Sequence, residues 1–85
     1  MIVLDANVLL YAYNSDAPHQ AAAAEWVERL FRGAEIIALP WITLWAFLRI
    51  STNARLWPNP KSPVEAFGLV RQWLSQPGVT ILNPG

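Results

Sequence analysis

Asp5 is the residue of this 85-residue chain whose setting most clearly suggests chemistry. It follows an apolar run at residues 2–4 that is short and rich in β-branched side chains, and it precedes a second apolar run at residues 8–12. The first run predicts a strand buried on both faces, as in a parallel sheet. The second can follow only after a turn or a helix start, for which Asn7 is well suited. Asp5 would then lie at the carboxyl end of a strand, where open α/β sheets bind their ligands.

A carboxylate at this edge of a sheet has several possible roles. Asp5 can simply cap the following helix. It can coordinate Mg²⁺ or Mn²⁺, which are hard cations that prefer oxygen ligands. It can also act as a nucleophile that becomes acylated or phosphorylated, or accept phosphate in signalling. Asn7 has the same ambiguity between cap and ligand, and position alone leaves these roles open.

The elements that must position Asp5 can be predicted from the rest of the sequence. Residues 19–33, HQAAAAEWVERLFRG, predict a helix with apolar side chains at spacings of three and four. Ser15 or Asp16 would cap it, with Pro18 in its first turn, and Gly33 would end it. The next run, EIIAL, predicts a second short strand ended by a proline.

The segment WITLWAFLRIST, residues 41–52, predicts a buried helix because it is apolar nearly all round, with a long strand as the alternative. The residues that give this segment its helical periodicity are Ile42, Trp45, Ala46, Arg49 and Ile50.

A further helix is predicted after the proline-rich loop at residues 53–61. Ser62 would be its N-cap, Pro63 its first residue, and Glu65 would reach back to complete a capping box. Its predicted inner face consists of Phe67, Val70, Trp73 and Leu74. The run VTIL then predicts a third strand. The order β-α-α-β-α-α-β implies right-handed crossovers and a parallel sheet.

Composition excludes several classes of protein. The chain is 54% hydrophobic and only 14% charged, which predicts one folded domain rather than a disordered segment. Six basic and six acidic residues give no net charge, which argues against a simple electrostatic binder of nucleic acid. The sequence has no cysteine, and no apolar run approaches the ~20 residues of a membrane span, so we expect a cytoplasmic protein without membrane contact.

Three stretches of the sequence together resemble one known family. They are MIVLDANVLLYAYN, LPWITLWAFLRISTNARLWPNP and EAFGLVRQWLSQPGVTIL. In this order they resemble the first part of a PIN-domain ribonuclease, and within that superfamily the VapC-type toxins of toxin–antitoxin pairs. The resemblance implies a three-layer α/β/α fold with a parallel sheet, of which residues 1–85 would be the amino-terminal part of a single domain.

The same resemblance implies a metal-dependent endoribonuclease that is neutralised by a cognate antitoxin and is commonly a homodimer. Asp5 matches the family's first metal ligand and would be the catalytic carboxylate, with Mg²⁺ as the expected ion and Mn²⁺ as an alternative. Asn7 matches a neighbour that orients this carboxylate. The implied reaction is hydrolysis of an RNA phosphodiester, in which the ion lowers the pKa of a bound water.

The sequence departs from the family pattern in its other acids. Many PIN domains carry a glutamate three residues after the threonine that matches Thr43, but here that position is Ala46. No acidic residue follows Glu65. Asp5 is therefore the only matched ligand, and we do not expect this chain to complete a metal site alone.

Other side chains are weaker candidates for binding. Arg49 and Arg55 flank the segment ISTN, where they can contact RNA phosphate or simply lie on the surface. Tyr11, Trp45 and Phe47 are expected to help form an antitoxin or dimer surface, because the chain carries more aromatic side chains than a small core requires.

Two alternatives to the ribonuclease stay open. A haloacid dehalogenase-type hydrolase would use Asp5 as a nucleophile, but its phosphatases usually carry a second aspartate where Asn7 stands, and the only lysine, Lys61, lies in the proline-rich loop. The second alternative is a non-catalytic half-domain that acts as a binding or oligomerisation module through its aromatic residues.

Overall fold

A computed structural model of the chain describes residues 1–14, 16 and 19–83. Its elements are β1 (Ile2–Val3), α1 (Ala6–Tyr13), α2 (Gln20–Arg32), β2 (Ile37–Pro40), α3 (Trp41–Ser51), α4 (Pro63–Leu74) and β3 (Val79–Leu82). The predicted order of strands and helices is thus confirmed, and the alternative of a long strand at residues 41–52 is excluded.

The three strands form a parallel sheet with β2 in the centre. Ile37 of β2 is paired with Ile2 of β1 and with Val79 of β3. The pairing continues beyond β1, because the backbone N–H of Leu4 donates to the carbonyl of Ala38 at 3.1 Å. All three strands therefore end at the same edge of the sheet, as the sequence predicts.

Both helical connections lie on one face of this sheet. Right-handed crossovers that step in the same direction, from β1 to β2 and on to β3, place their helices on the same side. On that side Leu4, Ile37 and Leu39 belong to the hydrophobic core. The prediction that β1 is buried on both faces is wrong, because Val3 points to the other side and is 54% exposed.

The core of the helical layer is centred on Trp73 of α4. Its ring packs edge-on against Phe47 of α3, with 4.7 Å between ring centroids, and in a tilted arrangement against Tyr13 of α1 at 5.1 Å. Phe47 is completely buried. Three helices from different parts of the chain are thus held by one aromatic cluster, in which edge-to-face contacts add to the burial of apolar area.

The apolar faces of α3 and α4 differ from the predicted ones. The helix α3 is buried along one face only, so the prediction that it is covered all round is wrong: Ile42 and Trp45 are exposed. In α4, Val70 and Trp73 face the core as predicted, whereas Phe67 and Leu74 do not. The reason is geometric, because a helix on the outside of a single layer has neighbours on only one side.

The predicted N-cap is confirmed for α4 and wrong for α2. The capping box of α4 is confirmed, with Ser62 and Glu65 exchanging two hydrogen bonds of 3.2 Å. The N-cap of α2 is His19, which has the left-handed φ of 57° and makes no side-chain cap. Asp16 does not cap this helix, and the predicted roles of Ser15 and Pro18 concern residues outside those described.

The carboxylate of Asp16 instead binds the loop between α3 and α4. It accepts hydrogen bonds from the backbone N–H of Asn59 at 2.8 Å and from its side-chain amide at 3.1 Å. The backbone N–H of Asp16 donates to the side chain of Asn14 at 2.9 Å. A contact across 43 residues of sequence thus occupies the carboxylate that the local pattern predicted to be a cap.

None of the helices described is long and apolar enough to span a membrane.

Tyr13 lies at the edge of the aromatic cluster, and its surroundings change its acidity. Burial raises the pKa of the Tyr13 phenol above its ordinary value of 10.0, and the nearby negative charge of Glu28 adds to this rise. The Trp73 side chain opposes it. Folding therefore favours the neutral phenol at this position.

We expect Phe47→Ala to destabilise the fold by about 3–5 kcal/mol, because it leaves a cavity beside Trp73. Trp45→Ala, on the exposed side of the same helix, should cost less than about 1 kcal/mol. Urea denaturation of both variants measures the difference, and Phe47→Leu supplies a milder change if Phe47→Ala does not fold. Equal losses for the two alanine variants would contradict the assignment of Phe47 to the core.

The raised pKa of Tyr13 predicts a loss of stability at high pH. Well below pH 10 the Tyr13 phenol is neutral in both the folded and the unfolded chain, so its contribution to folding stability is fully present. Above pH 10 the unfolded chain loses its proton first, and stability falls as pH rises through the higher pKa of the folded state. Tyr13→Phe should flatten this decline in urea denaturation, and an equally steep decline in the parent chain and in Tyr13→Phe would contradict the prediction.

Candidate functional site

Asp5 lies at the carboxyl end of β1 and is the N-cap of α1. Its backbone is extended, with φ −86° and ψ 151°, and its Oδ1 accepts the backbone N–H of Asn7 at 2.9 Å. The capping role considered for Asp5 is therefore observed. It uses one carboxylate oxygen only, because Oδ2 accepts no hydrogen bond from any residue described. The side chain is exposed, so this second oxygen is accessible to a ligand.

Thr43 links the junction between β2 and α3 to the backbone next to Asp5. It lies in the first turn of α3, directly after β2, and its hydroxyl donates to the carbonyl of Leu4 at 3.3 Å. This buried contact joins the residue just before Asp5 to the start of α3. The sequence alone did not predict this contact, because Thr43 was identified only as part of a motif. The available signal was a hydroxyl side chain within an otherwise apolar helix.

The amino-terminal ends of α1 and α3 both face this edge of the sheet. Their free backbone N–H groups and helix dipoles make the edge favourable for negative charge. The carboxyl end of β3 completes the edge with an apolar recess of about 280 Å³, lined by Pro40, Trp41, Ile42, Leu82 and Asn83. Asp5 is the acidic residue that the structure places at these junctions.

The metal-binding capacity of this arrangement is limited. No three His, Cys, Asp or Glu side chains within residues 1–14, 16 and 19–83 are grouped so that they could hold an ion. The accessible Oδ2 of Asp5 has the donor chemistry that Mg²⁺ prefers. A single carboxylate binds Mg²⁺ weakly, so Asp5 fits one position of a metal site and needs further oxygen ligands.

The two predicted RNA-contacting arginines lie away from Asp5. Arg49 is in the last turn of α3, and Arg55 lies in the loop that follows this helix. Eleven residues of α3 span roughly 16 Å, so Arg55 is at the opposite end of the helix from the edge that carries Asp5. The backbone N–H of Arg55 donates to the side chain of Asn53 at 2.9 Å, which fixes the loop locally.

Tyr11, Trp45 and Phe47 do not form one surface. Trp45 and Phe47 are two residues apart on α3 and so point about 200° apart around the helix. The prediction that Phe47 helps form an antitoxin or dimer surface is therefore wrong, because its side chain is buried in the core. Tyr11 is exposed beside a shallow recess between α1 and α2, and Trp45 is exposed next to Trp41 at 6.1 Å between ring centroids.

The PIN domain family matches residues 2–85 of this chain. Ribonuclease VapC33 of Mycobacterium tuberculosis is 40% identical over 85 residues, which cover all of this chain and 59% of the relative. Ribonuclease VapC37 of the same organism is 36% identical over 84 residues, which cover 99% of this chain and 58% of the relative. The chain thus spans about three fifths of the length of these relatives. With a match across its whole length and the parallel α/β fold described above, the chain belongs to the PIN domain family.

Proposed function

We propose that this protein is an endoribonuclease toxin of the VapC type that depends on a divalent metal ion. The observation that carries the proposal is the accessible Oδ2 of Asp5 at the carboxyl edge of the sheet. The names of the relatives, which are ribonucleases, support RNA as the substrate. The resemblance to VapC-type toxins supports a cognate antitoxin and a second copy of the chain as protein partners.

The residues around Asp5 prepare its carboxylate for this role. The backbone N–H of Asn7 donates to Oδ1, and Oδ2 of the exposed side chain accepts no hydrogen bond from any residue described. The contact from Thr43 to Leu4 fixes the backbone one residue earlier. We infer that Asp5 binds Mg²⁺ or Mn²⁺, and that Asn7 orients the carboxylate through its backbone. When bound, such an ion lowers the pKa of a coordinated water and offsets charge on the departing oxygen of RNA.

The edge of the sheet also suits a phosphodiester. The free N–H groups at the starts of α1 and α3 favour the phosphate's negative charge. Arg49 and Arg55 are proposed to contact phosphates further along the RNA, because they lie along and beyond α3 rather than beside Asp5. Extended contacts of this kind position a strand without reading its sequence.

A non-catalytic interaction module is the second candidate function. It is favoured because no group of three metal-ligating side chains is found among the described residues, and because α3 and α4 carry large exposed apolar side chains. Cleavage that requires Asp5 would exclude it. The haloacid dehalogenase-type alternative is excluded, because the chain belongs to the PIN domain family.

RNA cleavage in Mg²⁺ or Mn²⁺ tests the proposal, with Asp5→Asn as the decisive variant. Asparagine is as good an N-cap as aspartate, so this change removes the charge while keeping the start of α1. We expect cleavage to fall by more than about a hundredfold, and to stop when EDTA removes the ion. Asp16→Asn is the matched control, because it removes one charge at a carboxylate occupied by Asn59.

Two outcomes would contradict the proposal. Equal cleavage by the parent chain and Asp5→Asn would mean that the activity does not belong to this site. The absence of cleavage would be decisive if a protein extended to the length of the relatives also fails to cut RNA. Activity of the extended protein alone would show that the remaining ligands lie outside these 85 residues.

A further inference from the structure

A cavity of about 230 Å³ lies between the ends of three helices, away from Asp5. Its lining comes from the last turns of α1, α2 and α4 and includes Tyr13, Arg32 and Trp73. Both α2 and α4 end just before the strands β2 and β3 begin, so the cavity lies toward the amino-terminal edge of the sheet. Asp5 lies at the opposite, carboxyl edge, and the cavity is therefore separate from the site described above.

Three of the side chains that line the cavity are aromatic, and one of them has an unsatisfied donor. They are Tyr13, Phe31 and Trp73. The rings of Tyr13 and Trp73 lie 5.1 Å apart between centroids, yet the buried indole N–H of Trp73 makes no hydrogen bond with any residue described. A buried donor without an acceptor is unfavourable, so a ligand that brings an acceptor atom gains from binding here.

The polar side chains of the cavity carry one negative and one positive charge. Glu28 and Arg32 both line it and are four residues apart on α2, which places their Cβ atoms about 5–6 Å apart on one face. The only ion pair among the described residues joins the amino terminus to Glu35, so neither side chain has a partner of opposite charge within them. Gln72 and Gln76 add amide donors and acceptors. The cavity thus presents a carboxylate and a guanidinium side by side, next to aromatic rings.

A guanine base matches this set of groups. Its Watson–Crick edge carries N–H donors at N1 and N2, which one carboxylate can accept together. Its O6 and N7 are acceptors that an arginine guanidinium binds as a pair. The two edges adjoin on one flat ring, and such rings stack on aromatic side chains. Adenine carries an amino donor in place of O6 and an acceptor at N1, so it would set donor against donor and acceptor against acceptor.

We propose that this cavity binds a guanine base, with Glu28 accepting from N1 and N2 and Arg32 donating to O6 and N7. The aromatic side chains stack on the ring, and the indole N–H of Trp73 donates to an acceptor of the base. Pockets for drug-sized ligands span about 300–1,000 Å³. A cavity of about 230 Å³ therefore suits a single base and leaves its sugar and phosphate in solvent. The inference does not require that the chain cleaves RNA.

Calorimetric titration of the 85-residue chain without divalent metal ions tests this inference. The probes are guanosine, inosine and adenosine monophosphates, which carry the same phosphate and differ only in the base. We expect guanosine monophosphate to bind at least about tenfold more tightly than adenosine monophosphate. Inosine monophosphate lacks the 2-amino group and should bind with an intermediate affinity.

Glu28→Gln and Arg32→Gln should each weaken binding of guanosine monophosphate by about tenfold or more. Glu28→Gln should also reduce the preference for guanosine over inosine monophosphate, because an amide offers one acceptor oxygen instead of two. Glu25→Gln and Arg29→Gln are the matched controls, since both residues are exposed on α2 but do not line the cavity. Attraction of the phosphate alone predicts the opposite result, in which Glu28→Gln strengthens binding and all three nucleotides bind equally.

A second pair of probes distinguishes a free nucleotide from a guanine of single-stranded RNA. The RNA oligomers UUGUU and UUAUU differ only in the central base. A preference for UUGUU identifies RNA as a source of the base, whereas binding of guanosine monophosphate without this preference identifies the free nucleotide. No preference for guanine with either kind of probe, or unchanged binding in Glu28→Gln, would overturn the inference. Cleavage is not measured, so a failed nuclease assay would leave these outcomes equally decisive.

Discussion

The packing of Trp73 between Phe47 and Tyr13 is the contact on which the helical layer depends. It joins the last turn of α4 to α3 and to the end of α1, so three helices that are distant in sequence share one side chain. The position of α3 matters for the site, because its first turn is tied to the backbone beside Asp5. The sheet edge is thus held in place by an aromatic cluster that has no part in its chemistry.

The candidate site combines a structural and a chemical role in one carboxylate. One oxygen of Asp5 starts α1, and the other is free to bind a ligand. This division explains why a charged residue can stand between two apolar segments of a weakly charged chain. The cap secures the side chain in a single orientation, and a preoriented ligand loses less entropy when it binds.

The sequence predicted those features that depend on neighbouring residues. The capping box of α4 and the order of strands and helices follow from local spacing, and so does the place of Asp5 after a strand. The buried face of α3 could not be predicted in this way, because its apolar residues surround the helix and only its neighbours decide which of them are covered. Asp16 shows the same limit, since a cap and a distant hydrogen bond to Asn59 compete for one side chain. The residue at position 46 of α3 can be read from the sequence as alanine instead of the family's glutamate, whereas the distance of Arg55 from this edge required the fold.

The contact between Asp16 and Asn59 also bears on the order in which the molecule folds. Joining residues 43 positions apart closes a long loop, and the entropy of closure must be met by contacts made earlier. We therefore expect the contact between Asp16 and Asn59 to form after α1 and α3 have docked. The loop that it holds contains two prolines and an exposed arginine. Its resistance to proteolysis consequently reports whether the whole helical layer is assembled, rather than the local stability of the loop itself.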